Sequence, residues 1–317
     1  MSNTNSIKNW AEDERPREKL LHKGPGALAD AELLAILLRS GTSKQSVLTL
    51  AQSLLTRHGV EVGGRRISAK HILVATGSWP VVPQIPGREH AITSNEAFFL
   101  ERLPRRALVV GGGYIALEFA SIFNGLGVAT TLSYRGQRLL RGFDAELGQR
   151  IAEEMKAKGV ALHFGAEPAA IVKRADGSLE VAFADGMRQE VELALFATGR
   201  RPNTAGLGLE AAGVRLGADG AVIVDKHSTS SVESIHAIGD VTTRVNLTPV
   251  ATAEAMWLAK TLFRAEPTPV DHENIPTAVF SDPNIATVGL SEEQARERYG
   301  AVDVYKTSFR ALKLTLG

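Results

Sequence analysis

Residues 107–120 read Ala-Leu-Val-Val-Gly-Gly-Gly-Tyr-Ile-Ala-Leu-Glu-Phe-Ala, and this stretch decides the fold. A short apolar run typical of a buried strand leads into glycines, and the glycines lead into a helix pattern. Gly111, Gly113 and Ala116 fit the spacing G-x-G-x-x-A. The first glycine permits a tight turn, the second lets a pyrophosphate approach the backbone, and the alanine lets helix and strand pack closely. The stretch predicts a dinucleotide site; the alternative is an ordinary tight turn between a strand and a helix.

The end of the next strand indicates which dinucleotide is bound. Residues 129–133 would be the second strand of the βαβ unit, and enzymes that select NAD usually end this strand with an acid. Arg135 stands there instead, and Arg138 and Arg141 follow. Guanidinium groups suit a 2′-phosphate because they form paired, charge-assisted hydrogen bonds with it. The pattern favours NADPH over NADH; the alternative is a solvated loop of arginines.

The composition is that of an ordinary globular protein. The chain has 317 residues, a formal net charge of +1, 44% hydrophobic and 22% charged residues, which gives no general argument for nucleic acid. Residues 1–10 are polar and no apolar run is long enough for a membrane span, so we expect a cytoplasmic protein that does not contact membranes. Cysteine is absent, and the eight histidines lack ligand spacing. We therefore expect no thiol chemistry and no metal site.

Two similar stretches bracket the dinucleotide unit. Residues 72–77 and 194–199 each predict a buried strand followed by Thr-Gly. This repetition predicts one nucleotide domain inserted into another. Between the two stretches, residues 144–158 predict an amphipathic helix, and residues 160–193 predict a β-meander with Asp-Gly turns.

The C-terminal third supplies a further candidate ligand. Residues 234–240 predict a strand that ends in Asp240, whose carboxylate can accept a hydroxyl group of a sugar or ribityl chain. A turn-forming role for Asp240 is the alternative. A helix is predicted over residues 252–263, and its N-terminus would stabilise negative charge. Residues 276–317 predict a third unit with strands at 275–280, 285–289 and 303–309 and a helix capped at Ser291-Glu292-Glu293.

Residues 1–59 have a different character, with helical apolar spacing and eight Lys or Arg against six Asp or Glu. We expect a small all-helical unit. Residues 13–21, Gly24-Pro25 and residues 29–42 resemble the N-terminal domain of the RadC family, and the resemblance covers about residues 6–58. That domain resembles a helix-hairpin-helix module, which grips the DNA backbone elsewhere. The slight basic surplus gives little support to nucleic-acid binding.

From about Val60 to Gly317 the sequence resembles the glutathione reductase family of FAD-dependent pyridine nucleotide-disulfide oxidoreductases. The segments that carry the resemblance are spread over most of the chain: residues 68–71 through 79–80, 111–118, Arg135, 140–144, 197–203, 237–240, 247–251 and 275–290.

The resemblance implies a role for each matching position. NADPH would be bound or positioned by Gly111, Gly113, Ile115, Ala116, Glu118, Arg135, Arg141, Gly199 and Val279. Tyr114 resembles the tyrosine that covers the flavin ring until nicotinamide displaces it, and Glu118 lies on the same catalytic, nicotinamide-facing side. FAD would be contacted by Thr76, Gly77, Asp240 and Thr248.

The sequence also departs from the family pattern. The family's redox cysteine pair, its first G-x-G-x-x-G segment, the lysine that pairs with the acid at Glu118 and the C-terminal histidine-glutamate pair have no counterpart. We therefore expect NADPH binding, weakened FAD binding, an impaired homodimer and no reduction of glutathione disulfide by this chain alone. Two alternatives stay open: fused gene fragments with no function as a whole, and a nucleic-acid-binding helical module with a passenger redox domain.

These observations predict an α/β protein in which a Rossmann-like NADPH domain is inserted in a partial FAD domain. A small all-helical unit precedes them, and a truncated α+β interface domain follows. The predicted domains are the helical unit (1–59), the two parts of the FAD domain (60–104 and 200–275), the NADPH domain (105–199) and the dimerisation domain (276–317).

Overall fold

The protein was analysed as a computed structural model that describes residues 59–264, 266–267 and 269–309. The helices predicted for residues 1–58 lie outside the described residues.

The chain divides into two compact units. Within the described part of the chain, unit 1 contains residues 59–81 and 199–272, and unit 2 contains residues 82–198 and 273–309. Each unit is described below by itself.

The strands and helices of the described residues are numbered in chain order. The strands are β1 (Val60–Val62), β2 (Arg65–Ile67), β3 (Ile72–Val74), β4 (Ser78–Pro80), β5 (Arg106–Val110), β6 (Ala129–Tyr134), β7 (Ala161–Phe164), β8 (Pro168–Lys173), β9 (Leu179–Phe183), β10 (Arg188–Val191), β11 (Leu193–Phe196), β12 (Arg200–Pro202), β13 (Ile235–Ala237), β14 (Thr277–Val279) and β15 (Ile285–Thr287). The helices are α1 (Ser94–Ala97), α2 (Tyr114–Gly125), α3 (Ala145–Ala157), α4 (Thr248–Arg264) and α5 (Glu292–Tyr299), and short 3₁₀ turns occupy Arg88–His90 and Gly239–Thr242.

A four-stranded parallel sheet in the order β11-β5-β6-β7 forms the core of unit 2. Residues 107–109 of β5 are 0% exposed, as expected for a parallel strand that is covered on both faces. Helix α2 connects β5 to β6, and helix α3 connects β6 to β7. The predicted strand, glycine turn and helix are therefore confirmed, as is the amphipathic helix α3. The sheet places the carboxyl ends of β5 and β6 at one edge.

An antiparallel sheet, β10-β9-β8, also belongs to unit 2. Its two predicted Asp-Gly turns are confirmed, because Asp176 and Asp185 each accept a hydrogen bond from the backbone N–H two residues ahead. The prediction of one meander over residues 160–193 is wrong at its start. β7 pairs in parallel with β6 because it completes a strand–helix–strand crossover through α3.

The last described residues of unit 2 form the β14–β15 hairpin and helix α5. Ser291 caps this helix as predicted, and the reciprocal partner is Gln294: the Ser291 hydroxyl accepts from the Gln294 N–H at 3.2 Å, and Gln294 Oε1 accepts from the Ser291 N–H at 2.9 Å. The strand predicted for residues 303–309 is wrong. These residues have no strand partner within the described part, and their exposed side chains bury no surface that would stabilise a strand.

Unit 1 contains the β1–β2 hairpin, the parallel pair β3–β13 and the antiparallel pair β4–β12. β3 and β13 are buried throughout, as predicted. Helix α4 was predicted to begin at Thr252, but it begins at Thr248. Pro249 is its second residue, and a proline in the first turn loses no intrahelical hydrogen bond, so the proline lies inside the helix and does not precede it.

Two histidines meet across the β3–β13 pair. Nδ1 of His71 lies 3.2 Å from Nε2 of His236, and Nδ1 of His236 lies 3.2 Å from Oγ1 of Thr229. The His236 residue is 3% exposed. Burial is the main cause that lowers the pKa of His236 from 6.5 to about 4; repulsion by His71 adds to it and attraction by Asp225 opposes it.

Glu254 of α4 is a buried carboxylate that anchors the helix. It accepts a hydrogen bond from the Gly239 N–H at 2.6 Å, forms an ion pair with Arg244 at 2.8 Å, and lies within hydrogen-bond distance of His272 Nε2, at 2.7 Å. Burial lowers the pKa of Arg244, although the attraction of Glu254 opposes this. The contact with Gly239 fixes α4 against the 3₁₀ turn that carries Asp240.

None of the helices in the described part of the chain is long and apolar enough to cross a bilayer. Within the same residues, no group of three or more His, Cys, Asp or Glu side chains is arranged to hold a metal ion.

Candidate functional site

The turn between β5 and α2 requires glycine at its first position. Gly111 has a φ of +146°, and a Cβ added there would lie 2.3 Å from the carbonyl oxygen of Ala197 and 3.0 Å from the Cβ of Ala116. Ala116 is 0% exposed, so a larger residue there would also separate helix and strand. The structure therefore explains why a glycine and an alanine stand at these positions of the motif.

The second motif glycine leaves the helix N-terminus open. Gly113 is the N-cap of α2; no side chain caps the helix there, and no atom lies within 4 Å of a Cβ built on it. The first turn of α2 contains no acidic residue. A helix N-terminus without a side-chain cap and without an acidic residue in its first turn suits an anion such as a pyrophosphate.

The arginine loop, residues 135–141, follows β6 at the same edge of the sheet. Arg135 and Arg141 are exposed, and no carboxylate of the described residues pairs with either of them. Arg138 differs, because its guanidinium lies 3.5 Å from Glu293. Two of the three positive charges predicted for a 2′-phosphate are thus available to an anion.

Backbone hydrogen bonds join the arginine loop to the glycine turn. The Gly111 N–H donates to the Ser133 carbonyl at 2.9 Å, and the Leu140 N–H donates to the Gly112 carbonyl at 2.8 Å. The structure therefore brings together the predicted NADPH residues of the glycine turn and of the arginine loop.

Glu118 lies on α2, one turn beyond the glycines. Its Oε1 accepts a hydrogen bond from the Phe280 N–H at 2.9 Å, which places the end of β14 beside α2. Val279 is 0% exposed and packs in the core of unit 2. Tyr114 and Ile115, in the first turn of α2, are half-buried against the same core.

Asp240, the candidate FAD ligand of unit 1, is held by two residues that sequence reasoning missed. The Ser78 hydroxyl donates to Asp240 Oδ2 at 2.7 Å. Arg200 donates to the Ser78 hydroxyl at 2.6 Å and to its carbonyl at 2.7 Å, and lies 3.9 Å from Asp240. Their positions in the sequence could have identified them, because Ser78 and Arg200 each directly follow one of the two Thr-Gly turns. The strands that begin at these two residues, β4 and β12, pair with each other.

The remaining predicted FAD residues also lie in unit 1. The Thr76 hydroxyl donates to the Asn203 carbonyl at 2.7 Å, and the Asn203 N–H donates to the Gly77 carbonyl at 2.9 Å. Thr248 is the exposed first residue of α4. Gly199, predicted to lie near NADPH, also belongs to unit 1, whereas the other predicted NADPH residues belong to unit 2.

Comparisons with known proteins identify the family of the chain. The sequence profile of the pyridine nucleotide-disulphide oxidoreductases matches residues 3–255, and that of their dimerisation domain matches residues 275–317. The first match begins at residue 3 and runs through the whole segment that resembles the RadC family. The RadC resemblance stays a prediction.

Two curated relatives are glutathione reductases. The chain is 49% identical over 263 residues to the chloroplastic/mitochondrial enzyme of Pisum sativum, an alignment that covers 83% of this chain and 48% of that protein. It is 48% identical over 257 residues to the enzyme of Burkholderia cepacia, covering 81% and 57%. A trypanothione reductase of Trypanosoma congolense is 42% identical over 287 residues, covering 89% and 58%. The chain thus spans about half the length of these relatives.

A solved structure gives the same result. The HOCl-induced flavoprotein disulfide reductase RclA from Escherichia coli superimposes with a TM-score of 0.74 at 31% identity, covering 79% of this chain and 58% of that one. Members of the family are flavoproteins that use FAD and a nicotinamide dinucleotide. The open glycine turn at Gly113 and the unpaired arginines fit the dinucleotide. With a profile match over most of its length and these relatives, the chain belongs to the pyridine nucleotide-disulphide oxidoreductase family.

Proposed function

We propose that this chain, a flavoprotein disulfide oxidoreductase of the glutathione reductase kind by family, binds NADPH and FAD and does not by itself carry out the disulfide step. The observation that carries the proposal is that a backbone hydrogen bond joins the glycine turn to the arginine loop in unit 2. The open N-terminus of α2 and the unpaired Arg135 and Arg141 lie at one edge of the parallel sheet. The glycine turn would bind the pyrophosphate, and the arginines would bind the 2′-phosphate.

Glu118 and Tyr114 would complete the nicotinamide side. Glu118 is fixed to the Phe280 backbone and can orient the nicotinamide end of the dinucleotide. Tyr114 would cover the flavin until nicotinamide displaces it, as the resemblance implies. Gly199 and the backbone of Val279 are proposed as further neighbours of NADPH.

FAD would be held by Thr76, Gly77, Asp240 and the N-terminus of α4 at Thr248. The Asp240 carboxylate has a fixed direction because Ser78 donates to one of its oxygens, and its other oxygen can accept from a ribityl hydroxyl. Bound FAD would supply hydride acceptance and electron transfer. The protein's part is to orient the two cofactors and to exclude water from between them.

The proposed activity stops before the disulfide step in this polypeptide. The sequence holds no cysteine, and a thiolate is the group that attacks a disulfide. Glutathione disulfide as substrate and a homodimer as assembly follow from the relatives alone, and both are proposals for this chain. The domain boundaries given above are proposed with them.

From the sequence, we also propose that residues 6–58 form a RadC-like helical unit. A salt-dependent DNA mobility shift on the full chain tests whether this unit binds DNA. The absence of any shift at low salt would exclude DNA binding.

The NADPH proposal is tested by ligand titration of purified protein. Wild type should bind NADPH more tightly than NADH. Replacing both Arg135 and Arg141 with alanine should weaken the affinity for NADPH by about a hundredfold or more and leave the affinity for NADH nearly unchanged. Each lost charge-assisted hydrogen bond costs about 1.5–3 kcal/mol, so the two together cost about 3 kcal/mol or more.

The matched control is Arg138→Ala, which removes an arginine of the same loop that already pairs with Glu293. It should change the affinity for NADPH much less. The proposal fails if the double variant binds NADPH as tightly as wild type, or if wild type does not prefer NADPH.

A further inference from the structure

Tyr134 occupies the junction between the glycine turn and the arginine loop. It is the last residue of β6 and directly precedes Arg135. A Cβ built on Gly112 would lie 2.6–2.7 Å from the ring atoms Cδ1, Cδ2 and Cε1 of Tyr134. Contacts this short are essentially never seen for real Cβ atoms. The ring therefore lies directly against the backbone of the middle glycine of the turn.

The same ring lies against a second glycine, on the arginine loop. A Cβ built on Gly136 would lie 2.6 Å from Cε1, 2.9 Å from Cζ and 3.1 Å from the hydroxyl oxygen of Tyr134. Neither Gly112 nor Gly136 has a positive φ. Their backbone conformation is open to any residue, so the space taken by the Tyr134 ring is the reason for glycine at both positions.

Both ends of the arginine loop converge on Gly112. Tyr134 directly precedes the loop and packs on Gly112, and Leu140, near the end of the loop, donates its N–H to the Gly112 carbonyl at 2.8 Å. Two further bonds fix the start of the loop: the Ala166 N–H donates to the Tyr134 carbonyl at 3.3 Å, and the Gly165 N–H donates to the Gly136 carbonyl at 3.2 Å. The side chain of Tyr134 adds a packing contact with two glycines to this set of backbone hydrogen bonds.

We infer that Tyr134 is a positioning residue for coenzyme selection, whose ring, seated between Gly112 and Gly136, sets the spacing between the pyrophosphate-binding turn and the arginines that read the 2′-phosphate. This inference rests on the proposed function. The 2′-phosphate and the pyrophosphate belong to one ligand, so the arginine loop and the turn have to be held at a matching distance before binding. Preorganisation of this kind contributes to affinity by lowering the ordering cost. The selectivity for the 2′-phosphate is then a property of the ring as well as of the arginines.

The probes that test this are 2′,5′-ADP and 5′-AMP, which differ by the 2′-phosphate, titrated calorimetrically into the full chain. Wild type should prefer 2′,5′-ADP. Tyr134→Ala should weaken the affinity for 2′,5′-ADP about tenfold, a loss of about 1.4 kcal/mol. It should leave the affinity for 5′-AMP nearly unchanged. Tyr134→Phe keeps the ring and should bind both probes like wild type. A role in folding alone would lower the melting temperature and weaken both probes equally.

A size-exchange pair isolates the packing contact. Gly112→Ala should weaken 2′,5′-ADP in the wild-type background, because the new methyl group displaces the ring. In the Tyr134→Ala background the same substitution should cost much less, because the methyl group enters the space that the ring left. If Tyr134→Ala does not fold, Tyr134→Leu replaces it in both arms.

The outcomes separate the inference from the function beneath it. A wild-type chain without preference for 2′,5′-ADP refutes the proposed function and this inference with it. A wild-type preference that persists in folded Tyr134→Ala, or strictly additive effects of the Gly112 and Tyr134 substitutions, overturns the inference and leaves the proposed function standing.

Discussion

Acidification should destabilise unit 1 through His236. This buried side chain of β13 has His71 at one ring nitrogen and Thr229 at the other. The charged groups that face it are His71, which repels a proton on it, and Asp225, which attracts one. Burial is the largest influence, and it holds the pKa of His236 at about 4 in the folded protein.

The sign and size follow from the two pKa values. An unfolded histidine titrates near 6.5, so between pH 6.5 and about 4 the unfolded chain binds a proton that the folded chain does not. Stability therefore falls as the pH falls through this window and does not depend on this group above pH 7. The loss is about 2 kcal/mol by pH 5 and about 3 kcal/mol by pH 4, a large part of the usual 5–15 kcal/mol.

Urea unfolding at several pH values measures this loss. Trp79 and Trp257 both lie in unit 1, so tryptophan fluorescence reports on it. His236→Gln removes the titrating group, so the loss of free energy of unfolding between pH 7 and 5 should be smaller than in wild type by about 2 kcal/mol. His90→Gln, a histidine of unit 2, is the control and should leave the dependence as in wild type.

The readout is the slope with pH and not the stability at one pH, because His236→Gln also changes packing. If wild type and His236→Gln lose the same free energy of unfolding between pH 7 and 5, burial does not suppress protonation of this histidine and the reasoning is wrong.

Two further substitutions test the site. Gly111→Ala should lower the free energy of unfolding of unit 2 by about 2–5 kcal/mol, since it combines an unfavourable φ with a Cβ 2.3 Å from the Ala197 carbonyl oxygen. Thermal melts measure this loss. The control is Gly125→Ala, in open space at the end of α2, which should be neutral or stabilising. Ser78→Ala should weaken the affinity for FAD several-fold without loss of the fold, because Asp240 loses the hydroxyl group that directs it. Flavin absorbance of the reconstituted protein measures the affinity. An unchanged affinity would exclude Asp240 as a directed ligand.

Local patterns could be predicted from the sequence because neighbours in the chain decide them. The glycine turn after β5 and the Asp-Gly turns around β9 need particular residues at particular φ values, and these are visible in the sequence. The helix α3 follows from apolar periodicity alone. The family itself was identifiable because its motifs are spread over most of the chain.

Pairings between distant segments could not be predicted. β7 has the same local pattern as a meander strand, and only the crossover through α3 assigns it to the parallel sheet. The hydrogen bonds from Arg200 to Ser78 and from Ser78 to Asp240 depend on the pairing of β4 with β12. The role of Tyr134 depends on how closely its ring approaches two glycines, a distance that no sequence pattern carries.

The pairing of β3 with β13 has a consequence for how the chain is made. His71 and His236 touch, yet 165 residues separate them. A ribosome adding about 5–20 residues per second needs roughly ten to thirty seconds to supply the second strand. During that time residues 82–198 can fold as they emerge, while the apolar β3 stays without its partner. Among the described strands, β3 therefore waits for its hydrogen-bonding partner β13 during about half of the synthesis of the chain.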